Sequence, residues 1–217
     1  EYARRQELPV MGETCPQYLF FTEAHLRRPD GAKWVCSPPL RTEKDNERLW
    51  GGLRKGLIQT VGTDHCPFFY DGTRTIRYEG EPVAIPGKEL GKDDFTKIPN
   101  GLPGVGDRLP ILWTYGVRAR RLTPNQFVAL TSTNPAKIFG LYPRKGALLP
   151  GSDADVVIWD PEKRLVYGAD YNLYEGWELI GYPEKVFLRG QLIVDGEVWL
   201  GKAGMGKYLY RREGQVI

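Results

Sequence analysis

The 217-residue sequence predicts an α/β fold followed by a smaller β module, and three observations carry that expectation. A helical stretch leads into an apolar run that ends on a carboxylate at Asp64, which is the helix, strand and site-residue rhythm of an α/β barrel. Two helix starts with proline in the first turn follow, at Thr123-Pro124 and Asn134-Pro135. After Gly146 the pattern changes to short β-branched and aromatic runs separated by glycine turns. Residues 1–145 and 146–217 are therefore expected to form two parts.

The elements follow in order. Leu8-Pro9-Val10-Met11 reads as a short strand ending at Gly12, and Lys33-Trp34-Val35-Cys36 as another ending at Ser37-Pro38-Pro39. Over 42–55, Leu49, Trp50 and Leu53 recur at helical spacing, with Thr42 as N-cap. Leu57-Ile58-Gln59-Thr60-Val61 is an apolar strand leading into Gly62-Thr63-Asp64-His65-Cys66-Pro67-Phe68. Residues 69–100 are rich in Gly, Pro, Asp and Lys and lack sustained periodicity, so a long loop is expected on the face that carries Asp64. A helix is expected over 107–119, and a second opens with Thr123 as cap, Pro124 at N1 and Gln126 at N3. A short third one takes Asn134 as cap, Pro135 at N1 and Gly140 as its stop. Strands are expected over 155–159, 185–189 and 191–194, with Asp195-Gly196 turning into 197–200.

Composition narrows the function classes. With 30 basic and 27 acidic side chains interspersed, a net charge of +3 gives no argument for a nucleic-acid or anionic-membrane partner. Arg118 to Arg121 is the one tight basic cluster, and without interleaved aromatics it reads as a solvated helix end. No apolar run approaches the roughly 20 residues of a membrane span, and no signal peptide is read at the start. Cys15, Cys36 and Cys66 form no C-x-x-C pair and no disulfide framework. They are expected to be buried as small hydrophobes, in a reducing, cytoplasmic setting. Glu1-Tyr2-Ala3-Arg4-Arg5 reads as the middle of a helix, so the sequence is expected to be part of a longer protein.

Asp64 is the leading chemical candidate, because a carboxylate at the C-terminal end of a buried strand points into the mouth of the sheet. The heptapeptide alone supports equally an aspartate that caps a turn. Asp64 could not do hydrolysis unaided, since a hydrolytic metal centre needs further ligands and the only histidines are His25 and His65. Ser37 before Pro-Pro and Asn100 before Gly read, by themselves, as ordinary turn residues.

Several motifs in order carry a resemblance. They are Gly12-Glu13-Thr14-Cys15-Pro16-Gln17-Tyr18-Leu19, Cys36-Ser37-Pro38-Pro39-Leu40-Arg41, the heptapeptide at Asp64, and Ile98-Pro99-Asn100-Gly101-Leu102-Pro103-Gly104-Val105. Ser132-Thr133-Asn134-Pro135-Ala136-Lys137 and Gly151-Ser152-Asp153-Ala154-Asp155 continue the set, which spans nearly the whole chain. Together they resemble the dihydropyrimidinase and D-hydantoinase branch of the cyclic amidohydrolases. The resemblance implies the C-terminal part of a TIM (β/α)8 barrel followed by part of a small β-sandwich domain. It also implies hydrolysis of a cyclic ureide or imide at an amide bond, with two divalent metals, zinc by preference.

On that resemblance Asp64 would ligate one metal and shuttle a proton from the attacking hydroxide to the leaving amide nitrogen. Ser37 and Asn100 match positions whose backbone groups contact the cyclic imide. His65 is not assigned as a ligand and is expected to be a hydrogen-bonded structural residue. The remaining ligands, among them a carboxylated lysine, are expected outside this chain, which alone should hold no two-metal centre. Residues 73–87 read as an insertion, and the stretch around Ala169 as shortened. Gly201-Lys202-Ala203-Gly204-Met205-Gly206-Lys207 resembles a tail that reaches a neighbouring subunit, which implies a homotetramer. A second reading is a non-catalytic scaffold of the collapsin response mediator type; the presence of Asp64 argues against it.

Overall fold

The computed structural model describes residues 1–70, 72, 74–85, 87–165 and 171–217; the stretch around Ala169 lies outside them. After a four-residue helix α1 (Tyr2–Arg5), two short parallel strands anchor the first part of the chain. β1 (Glu13–Thr14) and β2 (Thr60–Val61) pair with Glu13 opposite Thr60 and Thr14 opposite Val61. Both strands are shorter than the apolar runs suggested. Residues 8–11 form no strand, and Leu8 and Val10 are exposed, because pairing starts only at the Gly12 carbonyl, which accepts from Gln59 and Thr60. Leu57 and Ile58 likewise spend their N–H groups on the Gly52 carbonyl, closing the preceding helix instead of a ladder.

Between the two strands run α2 (Gln17–Phe20), α3 (Glu23–Leu26) and the twelve-residue α4 (Glu43–Arg54). Thr42 caps α4 as expected, in a reciprocal box with Asp45. The inner face of α4 grips α2 by polar as well as apolar contacts. Asn46 Nδ2 donates to the Tyr18 and Phe21 carbonyls at 2.6 and 3.0 Å, and Trp50 Nε1 donates to Leu19 O at 3.1 Å. Leu53, beside Trp50, is fully buried, a burial worth about 1.5–3 kcal/mol. The 33–36 run is no strand: a 3-10 turn, Gly31–Trp34, leads into an irregular segment whose Val35 carbonyl bonds to other loops. Its apolar residues are nevertheless core, with Trp34 and Cys36 packed among Phe21, Leu40, Leu102 and Ile111.

The expected long loop contains a hairpin. β3 (Arg74–Tyr78) and β4 (Glu81–Ile85) pair antiparallel around Glu79 and Gly80, whose φ angles of 51° and 89° make the turn type that suits a two-residue hairpin. Both strands are largely exposed, so no hydrophobic alternation marks them in the sequence. Two 3-10 turns, Lys88–Gly91 and Phe95–Lys97, bring the chain back to the core.

Helix α5 (Arg108–Leu112) widens into a π turn over Trp113–Arg118, and α6 (Pro124–Val128) into another over Ala129–Thr133 that passes directly into α7 (Asn134–Ile138). The Thr123 cap, the Pro124 start and the Gly140 stop (φ 68°) are as expected. Asn134 is not a cap. It lies within a continuous helix, where the wide turn ends next to Pro135, which has no N–H to offer, and its side chain donates to Gln59 O at 2.9 Å.

The last third of the chain is a four-stranded antiparallel sheet in the order β5 (Val156–Leu165), β6 (Leu179–Leu188), β7 (Gln191–Asp195), β8 (Val198–Trp199). Arg189 and Gly190, both at positive φ, turn β6 into β7. The sheet is bound to the helices. Thr114 Oγ1 exchanges two 2.9 Å hydrogen bonds with the backbone of Ile180, and the Trp113 ring lies where a Cβ on Gly181 would stand. Among the described residues no helix is long and apolar enough to cross a membrane.

Candidate active site

Three loops meet above the end of β2. The first carries Asp64, in a left-handed conformation (φ 49°) that aspartate tolerates better than most residues. Its side chain is exposed on the wall of an open cleft of about 500 Å³, shared with Glu13, Cys15, Tyr18, Pro38 and Arg41. Among the described residues the Asp64 carboxylate has no hydrogen bond or ion pair, whereas Glu13 beside it accepts from Thr60 Oγ1 at 2.8 Å. His65 is structural, as expected: Gly104 N and Val105 N donate to its Nδ1 at 3.1 and 3.2 Å, which places the ring proton on Nε2. Cys66 N donates to Leu102 O at 3.0 Å, so the Asp64 loop is stitched to the loop that carries Asn100.

Ser37 and Asn100 come together although 63 residues separate them, Asn100 Nδ2 donating to Ser37 Oγ at 2.6 Å. With the two side chains turned on each other, the backbone N–H and C=O groups of both residues are left without partners among the described residues. Both residues are exposed. Two loops therefore carry backbone donors and acceptors that have no partner among the described residues, next to Pro38 of the cleft that Asp64 also borders. Tyr18 borders the same cleft, its hydroxyl donating to Pro38 O at 2.9 Å. Burial, followed by the neighbouring Cys36, pushes its phenol pKa up and keeps that donor protonated.

The cysteines divide. Cys15 and Cys36 are buried, as expected of small hydrophobes. Burial first, then the Glu13 and Asp64 carboxylates, push the Cys15 thiol up to about 12, and burial raises Cys36 as well. Neither is a thiolate nucleophile at neutral pH. Cys66 is exposed, contrary to expectation, because its loop has already left the core past the end of β2.

Sequence reasoning missed Lys88. It is wholly buried, donates from Nζ to the carbonyls of Val35 and Pro99, and has its pKa lowered to about 8 by desolvation. A lysine in a Gly- and Pro-rich stretch carries no sign of burial, and the bonds that hold it come from loops 53 and 11 residues away.

The fit of a metal was tested on the donors present. One free carboxylate at Asp64 fits one oxygen ligand position. Among the described residues no group of three or more His, Cys, Asp or Glu side chains is placed to hold a metal ion. The described residues thus fit part of a centre and do not form one.

A carboxylate after a buried parallel strand thus borders an open cleft on an α/β chain. The sequence profile described as "Amidohydrolase family" matches residues 17–193. A D-hydantoinase of Geobacillus stearothermophilus is 44% identical over 218 residues, covering 96% of this chain and 43% of that protein. One from Rhizobium radiobacter is 42% identical, covering 97% of this chain and 45% of its own length. Among solved structures, a D-hydantoinase superposes with a TM-score of 0.87 at 45% identity, over 97% of this chain and 45% of that one. The dihydropyrimidinase of Brevibacillus agri gives 0.88 at 43%, over 99% and 45%. The chain belongs to the amidohydrolase family, and it spans less than half the length of these relatives.

Proposed function

We propose that this chain supplies part of a cyclic amidohydrolase of the dihydropyrimidinase and D-hydantoinase type, which opens the ring of a small cyclic ureide at an amide bond. The 5,6-dihydrouracil to N-carbamoyl-β-alanine reaction is the model case. The observation that carries this reading is the Asp64 carboxylate on the cleft that Pro38 borders, next to the bonded Ser37 and Asn100 pair, with the Asp64 carboxylate and the pair's backbone groups lacking partners among the described residues. A ring imide edge alternates acceptor, donor, acceptor, and free backbone N–H and C=O groups can match that edge without touching the ring substituent. Water adds to the ring carbonyl carbon and the C–N bond breaks. Asp64 accepts the proton released by the attacking water on a carboxylate oxygen and returns it to the departing nitrogen.

Two divalent metals, zinc by preference, would supply Lewis acidity to the carbonyl when bound. Asp64 would be one ligand, and a carboxylated lysine and the other ligands would lie outside residues 1–217. In the same reading residues 1–145 are the C-terminal portion of a TIM barrel and 146–217 part of a β-sandwich with a tail. The parallel β1–β2 pair joined through helices, and the antiparallel sheet that follows, support this division. The enzyme is taken as a cytoplasmic homotetramer with no nucleic-acid or membrane partner. The scaffold reading is not favoured, since the relatives are hydantoinases by name.

The test is the metal-loaded holoenzyme against its Asp64→Asn variant on dihydrouracil and hydantoin. Loss of a proton shuttle should lower kcat/KM by about 10³-fold or more. Turnover of the variant within tenfold of wild type would remove Asp64 from the chemistry.

A further inference from the structure

A wholly buried lysine is left unexplained by the reading above. Desolvating an ammonium costs several kcal/mol, and a methionine of similar length would fill the space without that cost. A lysine at position 88 must therefore matter for its donors. Its two acceptors are informative: Val35 lies two residues before Ser37, and Pro99 one residue before Asn100. Nζ reaches them at 3.2 and 3.0 Å.

Among the described residues the two loops share no strand ladder. The direct hydrogen bonds between them among the described residues are Gly101 N to Val35 O at 3.2 Å and the side-chain bond from Asn100 to Ser37. The lysine itself is held by its backbone N–H, which donates to Phe69 O at 2.9 Å, and Phe69 lies in the segment that runs on from Asp64. One residue thus ties together the Ser37 loop, the Asn100 loop and the segment that follows Asp64.

We propose that Lys88 is a positioning residue: its Nζ latches the Ser37 loop to the Asn100 loop and sets the spacing at which their backbone groups read a cyclic imide edge. The imide part of this statement rests on the function proposed above; the latch does not. A latch of this kind acts on binding of the ring before it acts on bond breaking. Its removal should raise KM while leaving the proton shuttle at Asp64 in place. The stability balance also separates a latch from a packing residue. Lys88→Met removes the cost of a buried charge but leaves the Pro99 carbonyl without its donor and the Val35 carbonyl with Gly101 N alone, two effects of opposite sign.

The experiment compares wild-type holoenzyme with Lys88→Met by two readouts. The first is hydrogen exchange at the Gly101 amide, which bonds to Val35 and reports on the latch without substrate. The second is the split between KM and kcat for dihydrouracil. Expected results are exchange at Gly101 faster by about tenfold or more with the α4 amides unchanged, KM up by about tenfold or more, and kcat within about threefold. Unchanged exchange at Gly101 overturns the latch. Faster exchange with unchanged KM overturns its role in reading the substrate. A wild-type holoenzyme that turns over no cyclic ureide would sink the proposed function and leave the latch to be decided by exchange alone. If Lys88→Met does not fold, Lys88→Ala supplied with propylamine takes its place, and restoration of Gly101 protection by the amine is the supporting result.

Discussion

Replacing Gly101 by alanine tests whether the Asn100 and Asp64 loops work as one unit. A Cβ at Gly101 would lie 2.4 Å from the Cys66 carbonyl oxygen, 2.9 Å from Cys66 Cβ and 3.0 Å from its Sγ. All three clashes are with one residue, two positions after Asp64, and the closest is with backbone, which cannot rotate away. Since real Cβ contacts stop near 3.0 Å and are ordinary from 3.4 Å, the loops must separate by about 0.6 to 1.0 Å. That displacement stretches the Cys66 N to Leu102 O bond and moves Asn100 away from Asp64. Overpacking of this size costs about 1–3 kcal/mol, and a misplacement approaching 1 Å at a reacting centre costs up to about 10²-fold in rate. The Gly101→Ala holoenzyme should therefore lose about 10- to 100-fold in kcat/KM on dihydrouracil and several degrees in Tm. Gly106→Ala is the control, because a Cβ there meets nothing within 4 Å. Gly101→Ala activity within threefold of wild type at unchanged Tm would refute the reasoning.

Two further outcomes follow from the same geometry. Because desolvation lowers the Lys88 pKa from 10.5 to about 8, between those values the unfolded chain holds a proton that the folded one does not. Stability from this residue thus rises with pH across that window, by about 3 kcal/mol, and the full cost of the buried charge is present below it. The raised Cys15 and Tyr18 pKa values act in the opposite direction at alkaline pH, so urea unfolding of wild type minus Lys88→Met isolates the lysine; identical pH profiles would count against a lowered pKa. Zinc titrated by calorimetry into the polypeptide of residues 1–217 alone should show no stoichiometric binding, as no cluster of three or more ligands forms among the described residues; tight binding of one or two zinc ions would overturn that expectation.

The helices that the sequence announced are the ones whose start signals are local. Thr42 with Asp45, and Thr123 with Pro124 and Gln126, close their own caps within four residues, and the structure keeps them. Asn134-Pro135 misled because the same signals can sit inside a helix that a wide turn accommodates. Strand edges were less legible: residues 8–11 and 33–36 are apolar enough to pair, yet their backbones lack a ladder, and pairing depends on what the rest of the chain brings alongside. The exposed β3–β4 hairpin was marked only by Glu79-Gly80, since neither strand has a buried face to impose alternation.

The site divides along the same line. The sequence by itself determined which residues stand out: Asp64 after an apolar run, Ser37 and Asn100 within motifs of recognisable order, His65 as structural. Chemical identity and short-range spacing are written in the chain and need no partner to be read. Only the tertiary structure decided that the Ser37 and Asn100 side chains bond to each other, and that Cys66 is exposed. It also decided that a loop lysine is drawn inside to hold three segments together. Burial and hydrogen-bond satisfaction are set by groups tens of residues away, and a polar side chain carries no local mark of which neighbours will desolvate it.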